Sequence, residues 1–171
     1  MLAEKYAEQI QKAFSKYPDK RSAVMPLLYI AQDEYGWVTP EAIHEVAELC
    51  ELDPTQVTSI AGFYTMYSEK PKGRYWLHVC TDLACALRGA DKFYADLCEH
   101  LEIEDDHGHG GTSPDGLFTA EPVMCLGACD RAPMLQCNFH FHEHLDMDKM
   151  KVLIEQWRSE VNASLAKKSA K

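Results

Sequence analysis

The sequence contains no C-x-x-C pair, no G-x-G-x-x-G and no apolar run near the roughly 20 residues that cross a bilayer, and it is short of bases, with 17 Lys and Arg against 27 Asp and Glu. Each absence excludes something. Without C-x-x-C, a reactive-dithiol redox enzyme is disfavoured. Without the glycine fingerprint, dinucleotide binding by this chain is disfavoured. No segment reads as a direct membrane insertion. A formal charge of −10 argues against nucleic acid, because a phosphate backbone is gripped by clustered Lys and Arg. It is compatible with docking to a basic face of another protein. Residues 1–16 carry charges throughout and do not read as the apolar region of a secretory signal.

What is present is a chain of 171 residues, 46% apolar and 26% charged, with seven cysteines. That is enough for one domain or two small ones. An odd number of cysteines without a secretory signal fits a reducing compartment, where thiols serve metals rather than disulfides. Four of the seven stand in two pairs: Cys80 and Cys85 in HVCTDLACALRG, Cys125 and Cys129 in VMCLGACDRAP. The pattern is C-x4-C, 39 residues, C-x3-C. Two close pairs suit a [2Fe–2S] cluster, which takes two sulfurs on each iron. Structural zinc, usually on C-x2-4-C, is the alternative metal, and disulfides or unliganded thiols are a third reading. Gly127 sharpens the first, since a short loop aiming two sulfurs at one iron needs backbone freedom.

Taken in order, Leu2, Tyr6, Ile10 and Phe14 form one stripe of a helix over 1–16. Val24, Leu27, Leu28, Ala31 and Tyr35 predict a second helix, closed by Gly36. Thr39-Pro40 opens a third and Asp53-Pro54 a fourth, with Gln56 placed to complete a capping box. These four helices with short loops predict a small bundle in residues 1–70. GFYTMY (62–67) reads as an aromatic core plug. Pro71 and Gly73 mark a boundary. After it come strand candidates at 74–79, 117–124 and 133–141, a helix over about 87–101, an exposed loop at 102–115, and a last helix opened by Asp146. The cysteine pairs fall in loops that begin at strand ends. Residues 161–171 read as a polar tail.

These residues resemble the 24-kDa-type subunit of NADH:quinone oxidoreductase (complex I), a family of thioredoxin-like [2Fe–2S] ferredoxins. The likeness runs from about residue 17 to residue 158. It rests on YPDKRSAVMPLLYIAQDEYGWVTPEAI, V-x-x-I-A-G-F-Y-T-M-Y, VCTDLACALRGA, TSPDGLFTAEPVMCLGACDRAP and Asn138. It implies an α+β chain, a helical N-terminal domain followed by a thioredoxin-like α/β domain at 74–160. It implies cluster ligation by Cys80, Cys85, Cys125 and Cys129, and single-electron transfer in the respiratory chain. It also implies a flavin subunit carrying FMN and NADH as partner, further iron–sulfur subunits, and a bacterial cytoplasmic location, peripheral on the inner membrane. Close relatives serve NAD(P)-linked hydrogenases and formate dehydrogenases, so the parent complex stays open. Two departures are a longer loop after Leu101, with His107 and His109, and FHFHEH at 139–144.

The remaining thiols, Cys50, Cys98 and Cys137, fall on apolar stripes and read as small buried hydrophobes. His140, His142 and His144 alternate and would share one face of an extended strand, although a partner-facing edge is the plainer reading. Arg131, two residues from Cys129, is a candidate for offsetting cluster charge. Its loss would then lower a potential that acidic surroundings already hold down. Pairing with a surface acid is the alternative.

Overall fold

This computed structural model describes residues 1–105 and 108–169, with side chains through residue 164. The chain divides into two compact units, Met1–Lys72 and Gly73–Lys171.

The first unit is helical: α1 Leu2–Lys5, α2 Ala7–Phe14, a 3-10 turn Lys20–Ala23, α3 Val24–Tyr35, α4 Pro40–Cys50 and α5 Pro54–Phe63. The helix expected over 1–16 breaks at Tyr6, with φ −120° and ψ 26°. Residues spaced by four drift about 40° per step around a straight helix. The break lets Leu2 and Ile10 both reach the core. Leu2 N donates to the Glu45 carboxylate and Tyr6 Oη to that of Glu34 (2.6 Å), fixing both sides of it. The expected ends of the later helices are present. Gly36 is left-handed at φ 81°, Thr39 Oγ1 accepts from Ala42 N at 3.1 Å, and Asp53 Oδ1 accepts from Thr55 N at 2.8 Å. The aromatic segment is a plug only in part. Tyr67 is buried against Tyr29 and donates to Met25 O at 2.9 Å, whereas Phe63 is 77% exposed. Phe63 stands two residues beyond buried Ala61, about 200° around the helix. Buried Gln32 ties the following segment to α3, donating to Met66 O (3.0 Å) and accepting from Ser68 N (2.7 Å).

The second unit is built on β1, Tyr75–Cys80, buried at all six positions. It adds α6 Leu83–Ala86, α7 Ala90–His100, β2 Gly111–Thr112, β3 Phe118–Val123, β4 Leu135–Cys137, β5 His140–His142 and α8 Met147–Ser169. The sheet order is β2-β3-β1-β4-β5, with β1 parallel to β3 and the other pairs antiparallel. Being central, β1 sets the direction in which its last residue, Cys80, leaves the sheet. Tyr75, Phe118 and Trp157 stack beneath it, with Tyr75 centred 5.4 Å from Phe118 and 5.2 Å from Trp157.

Three differences from the sequence reading have physical causes. The helix expected over 87–101 is α7, which starts only at Ala90 because Gly89, at φ 90°, interrupts helical backbone, and the short α6 precedes the expected span. The strand expected over 133–141 is the β4–β5 hairpin. Its two turn residues, Asn138 and Phe139, have φ of 46° and 68°, the signs a primed turn requires. Asn138 tolerates that conformation and its side chain is occupied, accepting from Trp76 N at 3.0 Å and donating to Arg74 O at 2.9 Å. Third, α8 continues through the expected polar tail as far as Ser169, and Val161 is buried in the second unit's core. Strand β2 lies inside the expected loop. Gly110 leads into it at φ 78°, where a Cβ would overlap the Ala120 carbonyl.

Replacing Asn138 with alanine removes both side-chain bonds and leaves a residue less suited to positive φ. The expected loss is about 1–3 kcal/mol at roughly 1 kcal/mol per hydrogen bond. Urea unfolding of the full chain measures it, and a change under about 0.3 kcal/mol would mean that the turn holds without the side chain.

Candidate metal centre

The four paired cysteines occupy the ends of β1 and β3 and the segments just after them. Cys80 closes β1 opposite Val123, and its N–H donates to Met134 O at 3.4 Å. Thr81 N then donates to Val123 O at 3.2 Å, which keeps the chain beside the end of β3. Cys85 lies within the short helix α6 rather than in an open loop, its N–H donating to Asp82 O at 2.9 Å. Cys125 stands two residues past β3, and Cys129 begins a 3-10 turn, Cys129–Arg131. Gly127 between them has φ 80°, as the loop was expected to need, and its N–H donates to Cys125 Sγ at 3.4 Å.

The two loops meet. Cys80, Cys85, Ala90, Ala132 and Met134 form a small apolar core of their own, and Leu126 and Ala128 of the second cysteine loop pack against it. Arg88, just after α6, donates to Cys129 O (3.4 Å) and Asp130 O (2.9 Å), tying the first loop to the second. The resulting site is asymmetric. Cys80 and Cys85 are each 1% exposed, Cys129 is half-buried and Cys125 is open to solvent.

The electrostatics carry the same grouping. Burial pushes the Cys85 thiol up to about 12, assisted by its hydrogen bond with Cys80 and by charge repulsion from Cys80, Cys129 and Cys125. Cys129 is raised first by its hydrogen bond and charge interaction with Cys125. Cys85 and Cys129 therefore each sense their neighbouring thiols, and thiolates packed this closely oppose one another's ionisation unless a cation sits among them.

The donor geometry bears on which metal group fits. Cys125 Sγ and Cys129 Sγ are 3.7 Å apart. Two sulfurs bound at about 2.3 Å to one tetrahedral ion stand about 3.8 Å apart, so this pair already spans one edge of such a tetrahedron. Among the described residues, no three His, Cys, Asp or Glu side chains converge as ligands of a single ion would. A pair at that spacing suits one iron of a two-iron centre, which takes two sulfurs on each iron, as it would one edge of a zinc site.

The other candidates fall away from this site. Cys50, Cys98 and Cys137 are buried, the first pushed up to about 11 and the last to about 12 by burial. His140 and His142 share β5, but His144 lies beyond the strand at φ 51°, so the three do not form one ligand face. His142 packs edge-on against Trp157 at 5.4 Å, and its burial there holds it below the ordinary histidine value. His109 is exposed, and His107 lies outside the described residues. Arg131 is engaged with acids, its Nη1 2.8 Å from Glu143 and its Nε 3.5 Å from Asp130. Its charge is thus largely compensated locally, and Arg88 is the cation fastened to the cysteine loop itself. Sequence reasoning missed Glu143 as Arg131's partner and Met134 as the floor of the site. It also missed three exposed apolar side chains, Leu83, Leu87 and Met124. Their signal was present, as large apolar residues standing next to cysteines in non-periodic segments.

A family model, the thioredoxin-like [2Fe-2S] ferredoxin, matches residues 10–158. The chain belongs to that family. Within it, the chain is 37% identical over 163 residues to an NADH-quinone oxidoreductase subunit of Rhizobium meliloti (strain 1021), covering 95% of both chains. It is 44% identical over 131 residues to an NADH-quinone oxidoreductase subunit of Thermus thermophilus, covering 75% of this chain and 70% of the relative. The ferredoxin fold also superposes on a crystal structure of NAD+-reducing [NiFe]-hydrogenase in the H2-reduced state. That match has a TM-score of 0.65 at 22% identity and covers 78% of this chain and 22% of the hydrogenase chain. At that identity the likeness is one of fold.

Proposed function

We propose that this chain is the [2Fe–2S] electron-transfer subunit of an NADH:quinone oxidoreductase, with Cys80, Cys85, Cys125 and Cys129 as the cluster ligands. One observation carries the ligand assignment: two cysteine loops from neighbouring parallel strands pack on one small apolar core, with Cys125 and Cys129 already a tetrahedral edge apart. The kind of complex is carried by the relatives, both of them subunits of NADH-quinone oxidoreductases. The chain's own domains are the helical unit, Met1–Lys72, and the cluster domain that follows it from Gly73.

The cluster, when bound, accepts and returns one electron. The chain's own residues make the setting for that exchange. Cys80 and Cys85, fixed by β1 and α6, hold the inner side and exclude water. Gly127 N–H, aimed at Cys125 Sγ, stabilises negative charge on that sulfur. The outer side, around exposed Cys125 and Met124, is where an electron enters or leaves. A partner carrying FMN and oxidising NADH supplies it, further iron–sulfur subunits complete the assembly, and the chain works on the cytoplasmic side of the membrane. Among the described residues no helix is long and apolar enough to cross one. A second reading, the equivalent subunit of an NAD(P)-linked hydrogenase, is favoured by the fold match to the NAD+-reducing hydrogenase.

Affinity purification of the tagged full chain from its native cell, without oxygen, decides between them. Recovery of a flavoprotein that bleaches with NADH, together with quinone reductase activity, supports the proposal. Recovery of a nickel-containing subunit supports the second reading, and recovery of the chain alone at native expression contradicts both.

Loading should depend on pH with a definite sign. Cys85 and Cys129 are raised and stay protonated at neutral pH, so ligation expels their protons. The loading equilibrium therefore strengthens as pH rises. These two protons alone contribute up to about a hundredfold per pH unit between about pH 6 and 8. Anaerobic reconstitution against a competing chelator measures it, and a flat profile would contradict ligation by protonated thiols.

A further inference from the structure

We infer that Cys125 and Cys129 form an intramolecular disulfide when the cluster is absent, so that the outer half of the site is a reversible oxidation site for low-molecular-weight disulfides of the glutathione class. The inference rests on the ligand assignment proposed above for its consequence, but on separate geometry for its chemistry.

The two pairs differ in access and in backbone freedom, two properties that govern disulfide formation. Cys125 is exposed and its loop neighbours Met124 and Gly127 are exposed with it, so a tripeptide disulfide can reach the Cys125 sulfur. Cys129 Sγ is 3.7 Å away, in van der Waals contact. A bond of about 2.05 Å needs the sulfurs to close by roughly 1.6 Å, a shift within reach of side-chain rotation. The intervening loop can follow, because no atom lies within 4 Å of where a Gly127 Cβ would be. The inner sulfurs are also in hydrogen-bond contact, but they lack both the access and the loop freedom. Cys80 and Cys85 are each 1% exposed, and their backbones are held in β1 and α6. Cys50, Cys98 and Cys137 are buried as well.

The chemistry balances without a further reagent. The Cys125 thiolate attacks one sulfur of glutathione disulfide, forming a mixed disulfide and releasing one glutathione thiolate. The Cys129 thiolate then attacks the Cys125 sulfur and releases the second. The two cysteines lose two electrons, glutathione disulfide gains them, and the two cysteine protons end on the two glutathiones. The bond consumes two of the four ligands at once. An oxidised apo chain cannot receive a cluster until a thiol reductant reopens the pair, whereas the buried pair stays reduced and ready. The site thus links loading to the thiol redox state, and the bond shields an exposed cysteine from irreversible oxidation.

The test uses the full chain, stripped of metal anaerobically and equilibrated in glutathione redox buffers. Thiols are trapped by alkylation and peptides are mapped by mass spectrometry. The expected result is loss of two alkylatable thiols, recovered as a 125–129 disulfide, with the other five still alkylated after denaturation. The variant Cys129→Ser should stop at a glutathione adduct on Cys125, and Cys125→Ser should react at least tenfold more slowly. A stable glutathione adduct on unaltered Cys125, a Cys80–Cys85 disulfide, or no loss of thiols would overturn the inference. Iron loading before and after reduction is read separately. A disulfide that forms but leaves iron and sulfide loading unchanged would refute the ligand assignment instead of the disulfide.

Discussion

Alanine in place of Cys80 or Cys85 is expected to abolish cluster loading, lowering bound iron and labile sulfide from about two of each per chain to well under one. The same change at Cys50, Cys98 or Cys137 is expected to leave both unaltered. The inner pair should show the sharpest loss. Both sulfurs are held by fixed elements, Cys80 at the end of β1 and Cys85 in α6, and pack among the apolar side chains of Ala90, Ala132 and Met134. Cys125 and Cys129 sit in a freer loop, where water or an added thiol can take a vacant position, so their variants should retain labile, partly loaded centres. Circular dichroism on each apo variant separates ligand loss from unfolding. Full loading of the Cys85 variant would remove that residue from the ligand set, and a loss at Cys137 equal to that at Cys85 would mean that packing rather than ligation is being measured.

Replacing Trp157 with alanine is expected to destabilise the cluster domain by about 3–5 kcal/mol, the usual cost of emptying a buried indole site. Trp157 stacks at 5.2 Å on Tyr75, lies near Phe118 and receives His142 edge-on. One residue thus joins α8 to β1, β3 and β5. Against a typical stability of about 5–15 kcal/mol, that loss is large enough to raise the unfolded population visibly. Since β1 carries Cys80, loading should weaken along with the fold. Chemical denaturation of the apo chain measures the effect. A loss below about 1.5 kcal/mol would show that the site collapses around the gap. Trp157→Phe, which keeps the stacking, should recover more than half.

How much of this was legible depended on whether the information was local. The helix starts at Thr39 and Asp53 and the stop at Gly36 were readable because capping chemistry resides in the residues themselves. The break at Tyr6 was not, because it answers to Glu34 and Glu45, 28 and 43 residues from their partners. The β4–β5 hairpin was missed because Asn138-Phe139 lacks the glycine that usually announces a primed turn. What stabilises it is the Asn138 side chain reaching back to β1. Strand β2, two residues long, left no pattern to read. At the site the types and spacing of the four cysteines were visible, since loops at adjacent strand ends have few places to go. Their inequality was not. Burial of Cys80 and Cys85 against Met134, and exposure of Cys125, are properties of packing that C-x4-C and C-x3-C do not encode. Arg131 illustrates the same limit, since proximity in sequence suggested a role toward the cluster and the fold supplied Glu143 instead.

The most direct test of the central claim is iron and sulfide analysis of the full chain purified without oxygen, with electron paramagnetic resonance after dithionite reduction. The account predicts about two irons and two sulfides per chain and a rhombic spin-½ signal from one reduced [2Fe–2S] centre. A colourless protein that binds one zinc on the same four cysteines, and still lacks iron after anaerobic reconstitution, would contradict it.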